Sequence, residues 1–191
     1  MIDKLVKEHT ILGIDPGTTY MGYGALHTVG GKAEPLEMGV LDLHKVDDHY
    51  AKLQKIFFFV QELIDRLQPS EMAIETQFVD KNVQTMLKLA HGQGVAIAAA
   101  LSKDIPVNEY SPMKIKMAIT GNGHASKERV ADMLQRVLKL EPSALPKKLD
   151  ATDALAIAYC HFLQLGLPLS TSKPVKNWAE FARQNTSRIH K

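Results

Sequence analysis

Four carboxylates stand where apolar segments of the sequence end or begin. Asp15 ends the apolar run 10–15, Glu75 ends the run 72–75, and Asp150 and Asp153 lie at the start of the run "DATDALAIAYC". Carboxylates that are grouped together repel one another and raise one another's pKa unless a cation neutralises them. Oxygen donors without a Cys or His set suit Mg²⁺ or Mn²⁺ better than zinc. Two such ions can cleave a phosphodiester, so the acids point to metal-dependent nucleic-acid hydrolysis.

Each of these acids also has an ordinary structural interpretation. Asp15 and Glu75 could be surface residues that end strands. Asp150 and Asp153 also match a helix N-cap followed by an acid in the first turn, which the helix dipole stabilises. The metal-site hypothesis therefore requires a fold that brings three separate acidic segments together.

The apolar spacing predicts elements able to do this. Five strands are expected at 10–15, 21–27, 36–43, 72–75 and 105–110, and helices at 49–67, 82–102, 127–138 and 151–165. Strands followed by strand–helix alternation predict an α/β fold, with a mixed five-stranded sheet and helices on both faces. In this fold Asp15 and Glu75 lie at the carboxyl ends of strands, where open sheets place ligands.

Composition and charge indicate what the protein could bind and in which compartment it would lie. Residues 1–110 carry 10 Lys and Arg against 15 Asp and Glu, whereas residues 111–191 carry 13 against 6, which suggests a polyanion-binding face or chance asymmetry. A single cysteine, Cys160, permits no intrachain disulfide. The longest apolar run, 95–101, is too short for a membrane helix, so we expect a cytoplasmic protein without membrane association. We predict one domain over 1–168 and a flexible basic tail over 169–191, helical around 177–183.

Five sequence motifs are similar to those of a known protein family. They are, in chain order, "GIDPGTTYMGYG", "AIETQFVDKN", "GQGVAIAAA", "GNGHASKERV" and "DATDALAIAYCH". Together they resemble the RuvC crossover junction endodeoxyribonucleases, the bacterial Holliday-junction resolvases, over nearly the whole chain. The resemblance implies an RNase H-like fold, a homodimer, and Mg²⁺-dependent symmetrical nicking of two opposing strands of four-way junction DNA in recombination and repair. It also implies cooperation with the RuvA–RuvB branch-migration complex.

The resemblance further assigns roles to individual residues. An acidic tetrad that holds two Mg²⁺ falls on Asp15, Glu75, Asp150 and Asp153. DNA-binding lysines important for catalysis fall on Lys116 and Lys127, and a base-stacking aromatic falls on Phe78. The basic or flanking residues that we add as candidate DNA contacts are Lys81, Asn82, Lys114 and Arg129.

Three histidines and two threonines are weaker candidates for functional residues. His124 could assist proton transfer, but a histidine in a loop is more often uninvolved. His161 lies eleven residues after Asp150, roughly 16 Å along a helix axis, and so cannot join the same metal cluster. The small residues after His91 would allow close helix packing, either within the domain or, as the resemblance implies, in a dimer. Thr18 and Thr19 could contact a phosphate, although turn-stabilising hydroxyls are commoner.

Two rival functions remain open from the sequence. The stretch "GIDPGTTY" also resembles the first phosphate loop of actin, sugar-kinase and heat-shock-chaperone ATPases. Those proteins need two such domains, and this chain has no second phosphate loop. A catalytically silent junction-binding module is the other rival, and the complete set of four acids argues against it.

Overall fold

A central five-stranded sheet organises the chain. The computed structural model describes residues 8–76, 82–141 and 148–166. Its strands are β1 (His9–Asp15), β2 (Tyr20–Val29), β3 (Lys32–Asp42), β4 (Glu71–Glu75) and β5 (Val107–Tyr110), in the order β3-β2-β1-β4-β5. The pairs β1–β2 and β2–β3 are antiparallel, whereas β1–β4 and β4–β5 are parallel. This confirms the predicted mixed five-stranded sheet.

Helices cover both faces of the sheet, as predicted. The described helices are α1 (His49–Leu67), α2 (Val83–Leu101), α3 (Pro112–Thr120), α4 (Lys127–Leu138) and α5 (Leu149–Gly166). The first four begin at side chains that accept a backbone N–H, namely Asp48, Asn82, Ser111 and Ser126. The predicted helices agree with the observed ones within two residues at each end, but α3 was not predicted.

The alternation of side chains along β1 builds two cores, one on each face. Leu12 and Ile14 are fully buried against α1 and α2. Ile11 faces the other way, into a core shared with α3, α4 and α5. Burial of one such side chain is worth roughly 1.5–3 kcal/mol, so both helical layers are held firmly to the sheet.

Helix α5 lies directly on the backbone of β1 and β2. A Cβ added at Gly13 would overlap the carbonyl oxygen of Ala154, and one added at Gly22 would overlap that of Asp150. Glycine is required at both positions because the two backbones approach so closely. The first turn of α5 is therefore held beside the end of β1, where Asp15 lies.

Some predictions fall outside the described residues. These are Phe78, Lys81, the tail 169–191 with its expected helix at 177–183, and the boundary at 168. Among the residues described, no helix has the length and apolarity needed to cross a membrane.

Candidate metal and nucleic-acid site

Two acids meet at one edge of the sheet because their strands run parallel. Ile14 of β1 is in register with Ile74 of β4, so Asp15 and Glu75 follow as the next residues on neighbouring strands. Each carboxylate comes directly after buried apolar residues, which fix the strand ends. The parallel pairing of β1 with β4 thus places these two acids side by side at the strand ends.

The electrostatics of the site show that a third acid joins them. Burial, followed by repulsion from Glu75 and Asp153, raises the pKa of Asp15 from its ordinary 3.8 to about 8. Burial is also the main cause that raises the pKa of Glu75 to about 7, with Asp153 contributing. Burial again, opposed by Lys127, raises the pKa of Asp153. Three carboxyl groups therefore share one poorly solvated pocket that favours a cation or a proton.

Asp150 lies at the margin of this cluster. Helix α5 begins at Leu149, so Asp150 is inside its first turn and the interpretation as an N-cap is wrong. Its charge raises the pKa of Asp15 and of Asp153, and it is the weakest of the acidic influences on Asp15. The structure thus places all four predicted acids in one region, with Asp15, Glu75 and Asp153 the most strongly coupled.

Two lysines line a cleft together with the acids. Lys127, the first residue of α4, forms an ion pair with Asp153 Oδ2. Lys116 of α3 lines the same cleft as Glu75 and Asp153, and its charge opposes the rise in the pKa of both acids. The cleft therefore combines carboxylates with ammonium groups, an arrangement suited to a metal ion together with a phosphate.

The described acidic side chains are not yet positioned to coordinate one metal ion together. Within the described part of the chain, no three His, Cys, Asp or Glu side chains are placed to hold one metal ion together. The ammonium group of Lys127 is the positive charge that contacts Asp153. Ion binding would therefore require side-chain rotations in the cluster, while the strands and α5 keep the carboxylates within mutual influence.

The other predicted DNA contacts are dispersed. Lys114 is exposed, and two residues along a helix turn it about 200° from Lys116; its ammonium lies 4.9 Å from the ring centroid of Tyr110. Arg129 is exposed in the first turn of α4, near Lys127. Asn82 caps α2 by accepting the N–H of Thr85 at 3.1 Å. Asn82 therefore has a structural role of its own.

The threonines and loop histidine lie in turns. The carbonyl oxygen of Thr18 accepts from Lys52 Nζ at 2.9 Å, and that of Thr19 accepts from the N–H of Leu43 at 2.9 Å. These bonds are made by backbone atoms and anchor the turn after Asp15. His124 is exposed, and its N–H donates to Asn122 Oδ1 at 3.0 Å.

The two remaining histidines are both held by hydrogen bonds. A ring nitrogen of His91 lies 3.1 Å from His49 Nε2, which links α2 to the start of α1. His161 is buried and contacts Tyr110 and Glu71. The prediction that His161 stands apart from the acidic cluster agrees with these partners.

The outward face of α2 is apolar. Val83, Leu87 and Leu101 are exposed there, and a Cβ added at Gly94 would meet no atom of the described residues within 4 Å. The opposite side of the helix, with Gly92, Ala96 and the pair Ala99 and Ala100, packs on the core. Some of the small residues after His91 therefore pack inside the domain, as one alternative predicted, while Gly94 lies on the outward face.

Comparisons with known proteins were made on both sequence and structure. Residues 11–161 match the family described as "Crossover junction endodeoxyribonuclease RuvC". A protein of that name from Bacteroides fragilis is 56% identical over 184 residues, covering 96% of this chain and 97% of its own. Another from Porphyromonas gingivalis is 53% identical over 185 residues, covering 96% and 98%.

The structural comparison agrees with the sequence comparison. The structure described as "T. thermophilus RuvC in complex with Holliday junction substrate" is similar with a TM-score of 0.74 and 33% identity, covering 82% of this chain and 94% of that one. The yeast mitochondrial Holliday junction resolvase Ydc2, at 15% identity and a TM-score of 0.63, shares the fold alone.

Proposed function

Because the chain belongs to the RuvC family of crossover junction endodeoxyribonucleases, we propose that its acidic cluster is the metal-dependent nuclease site with which it resolves Holliday junctions. The protein is a Holliday-junction resolvase with the RNase H-like fold, and its family implies dependence on a divalent metal. The observation that supports the site assignment best is the convergence of Asp15, Glu75 and Asp153, whose pKa values are all raised in one pocket.

The residues of the cluster fit hard divalent cations. They offer carboxylate oxygens that are poorly solvated and mutually repelling, so a bound cation relieves an electrostatic penalty. We assign two Mg²⁺ per site to Asp15, Glu75, Asp150 and Asp153, with Mn²⁺ as an alternative. Two bound ions would supply an activated water and would offset the charge that develops on the leaving oxygen.

The lysines of the cleft would hold the DNA. Lys116 and Lys127 line the cleft beside Glu75 and Asp153, where their ammonium groups can bind the scissile phosphate and stabilise its added charge. Lys114, Arg129, Lys81 and Asn82 are proposed as outer contacts to the backbone. Phe78, three residues after Glu75, is proposed to stack on a base at the junction centre.

An assay with defined DNA substrates tests this function. A synthetic immobile four-way junction, a linear duplex and a single strand are each incubated with Mg²⁺ or with EDTA. Paired symmetrical nicks confined to the junction, and only with metal, are expected. Equal cleavage of all three substrates would contradict structure selectivity. Binding of the junction without cleavage would support a silent junction-binding module. In a separate incubation with labelled ATP, turnover of the nucleotide would support the ATPase alternative.

The apolar outer face of α2 supports a homodimer. A two-fold axis across this face would place two identical sites on one junction, which has two equivalent strands to cut. The variant Leu87→Glu puts a charge on this face and is expected to give monomers by light scattering. Leu36→Glu is the matched control, because Leu36 is 51% exposed on β3 and Leu87 is 49% exposed on α2. Dimers of Leu87→Glu would refute this interface.

The remaining parts of the proposal concern partners and chain organisation. As a resolvase it is proposed to act with RuvA–RuvB on chromosomal DNA in the bacterial cytoplasm. The family match covers residues 11–161, which supports a nuclease domain within residues 1–168, and residues 169–191 are proposed as a separate tail. Truncation after residue 168 is expected to retain junction nicking, and loss of nicking with retained folding would assign the tail to the active unit.

A further inference from the structure

A series of hydrogen bonds crosses the core between the sheet and α5. The Tyr110 hydroxyl lies 2.7 Å from His161 Nδ1, and His161 Nε2 lies 2.9 Å from Glu71 Oε2. Asn108 Nδ2 donates to the same Glu71 oxygen at 3.1 Å. Tyr110 and His161 are both buried.

The direction of each hydrogen bond follows from the chemistry of the groups. The Glu71 carboxylate can only accept, so His161 Nε2 carries a proton; in the neutral ring Nδ1 then accepts from the Tyr110 hydroxyl. Burial, with smaller contributions from Cys160 and Glu71, raises the pKa of Tyr110 to about 12, so its hydroxyl remains a donor near neutral pH. In the described residues, no buried side-chain polar atom lacks a partner.

Tyr110 lies at a junction between the elements that carry the nuclease acids. It is in register with Glu75, and its carbonyl oxygen accepts the N–H of Thr76 at 2.9 Å. Its backbone therefore holds the residue that follows Glu75. Its hydroxyl reaches His161 on α5, the helix on which Asp153 lies about two turns earlier.

We propose that the Tyr110–His161 hydrogen bond is a positioning link for metal binding, which sets the strand edge that carries Glu75 relative to the helix that carries Asp153. The described side-chain hydrogen bonds of Tyr110 and His161 go to each other and to Glu71 rather than to the four acids, so both are positioning residues. The inference rests on the proposed function, since it concerns the geometry of the same acidic cluster. Displacements well below 1 Å matter in such sites because several ligands must meet one ion.

The variant Tyr110→Phe removes only the hydroxyl. It keeps the ring beneath Lys114 and the backbone bond to Thr76, so contacts with the basic surface are preserved. The matched control is Tyr159→Phe: Tyr159 is half-buried on α5 itself, and its hydroxyl makes no hydrogen bond to a described residue. His161→Leu and the double variant with Tyr110→Phe complete the set.

Three quantities separate a positioning role from a structural one. They are the Mg²⁺ concentration for half-maximal junction nicking, the junction affinity in EDTA, and the melting temperature. Tyr110→Phe is expected to raise the half-saturating Mg²⁺ concentration by about 10-fold, the range seen when residues that orient metal ligands are altered. Junction affinity in EDTA stays at the wild-type value. The double variant is no worse than His161→Leu, because both changes break one link.

An unchanged half-saturating Mg²⁺ concentration for Tyr110→Phe would overturn the inference, whether or not the melting temperature falls. An equal rise for Tyr159→Phe would also overturn it, since loss of any hydroxyl on α5 would then suffice. If His161→Leu does not fold, Tyr110→Phe decides the question alone. Failure of the wild type to nick any junction would overturn the proposed function together with this inference, whereas normal wild-type nicking restricts a negative result to the link.

Discussion

Replacing Asp15 by Asn is expected to stabilise the metal-free protein and to remove its response to Mg²⁺. The folded protein raises the pKa of Asp15 from 3.8 to about 8, chiefly through burial and repulsion from Glu75. A carboxyl whose folded pKa is raised binds its proton more tightly in the folded state. The protein therefore loses stability as pH rises from about 4 to about 8, and Asn avoids that loss.

The size of the effect follows from the same pKa values. At about 1.4 kcal/mol per pKa unit, the difference of about four units sets an upper limit of about 6 kcal/mol. The uncompensated negative charge is distributed over Asp15, Glu75 and Asp153. We therefore expect Asp15→Asn to raise the free energy of unfolding by only about 1–3 kcal/mol above pH 8. For a chain of this length that gain raises the melting temperature by about 3–10 °C.

Thermal denaturation followed by circular dichroism provides the assay. Wild type, Asp15→Asn and the exposed-site control Asp132→Asn are melted at pH 5 and pH 8.5, each with EDTA or excess Mg²⁺. The gain of Asp15→Asn should be large at pH 8.5 and small at pH 5, where Asp15 is protonated in the folded state. Mg²⁺ should stabilise wild type and the control, and only weakly the variant.

Asp15→Asn should still bind junctions but should not nick them. Retained binding would show that the loss of nicking comes from the removed charge and not from unfolding. Destabilisation of Asp15→Asn at pH 8.5, or an equal gain at both pH values, would refute the argument that Asp15 is a buried, charge-strained carboxylate. A full Mg²⁺ response in the variant would refute its assignment as a metal ligand.

Three further predictions follow from the geometry of the site. Gly22→Ala pushes on the carbonyl of Asp150 and is expected to cost about 2–4 kcal/mol of stability, measured by urea denaturation. Gly166→Ala, whose added Cβ meets no atom of a described residue within 4 Å, should cost under about 1 kcal/mol. Equal costs would contradict the close helix approach. Lys127→Ala should lower the single-turnover nicking rate by about 100-fold or more, whereas Lys139→Ala should retain it; similar rates would remove Lys127 from the reaction. Chelation by EDTA should abolish nicking reversibly while leaving junction binding measurable by gel shift, and nicking that persists in EDTA would exclude metal dependence.

The placement of Asp15 and Glu75 could be predicted from the sequence because both follow short buried strands. The pattern of apolar residues with a terminal acid predicted a strand end for each, whereas their meeting depends on the parallel pairing of β1 with β4 seen in the structure. The spacing of Asp150 and Asp153 allowed both a metal site and a helix cap, and the start of α5 at Leu149 decided against the cap. The resemblance to the family added Lys116 and Lys127, which no periodicity singles out.

Other features could not be predicted because they depend on contacts between distant residues. Tyr110 and His161 are 51 positions apart, and neither sequence context marks the bond between them. Helix α3 is short and has only two buried residues, Ile115 and Ile119, so its apolar pattern is weak. Its available signal was Ser111 followed by Pro112, a capping residue and a proline at the first helical position.

The contact of α5 with bare strand backbone has a consequence for engineering. Main-chain atoms at Gly13 and Gly22 fix the distance of α5 from β1 and β2, whichever rotamers the apolar core residues adopt. Volume-conserving repacking of the apolar core residues, with Tyr110 and His161 retained, should therefore change thermal tolerance without altering the affinity of the acids for metal. Stability and catalytic geometry are in this sense separately adjustable, with the glycine positions left untouched.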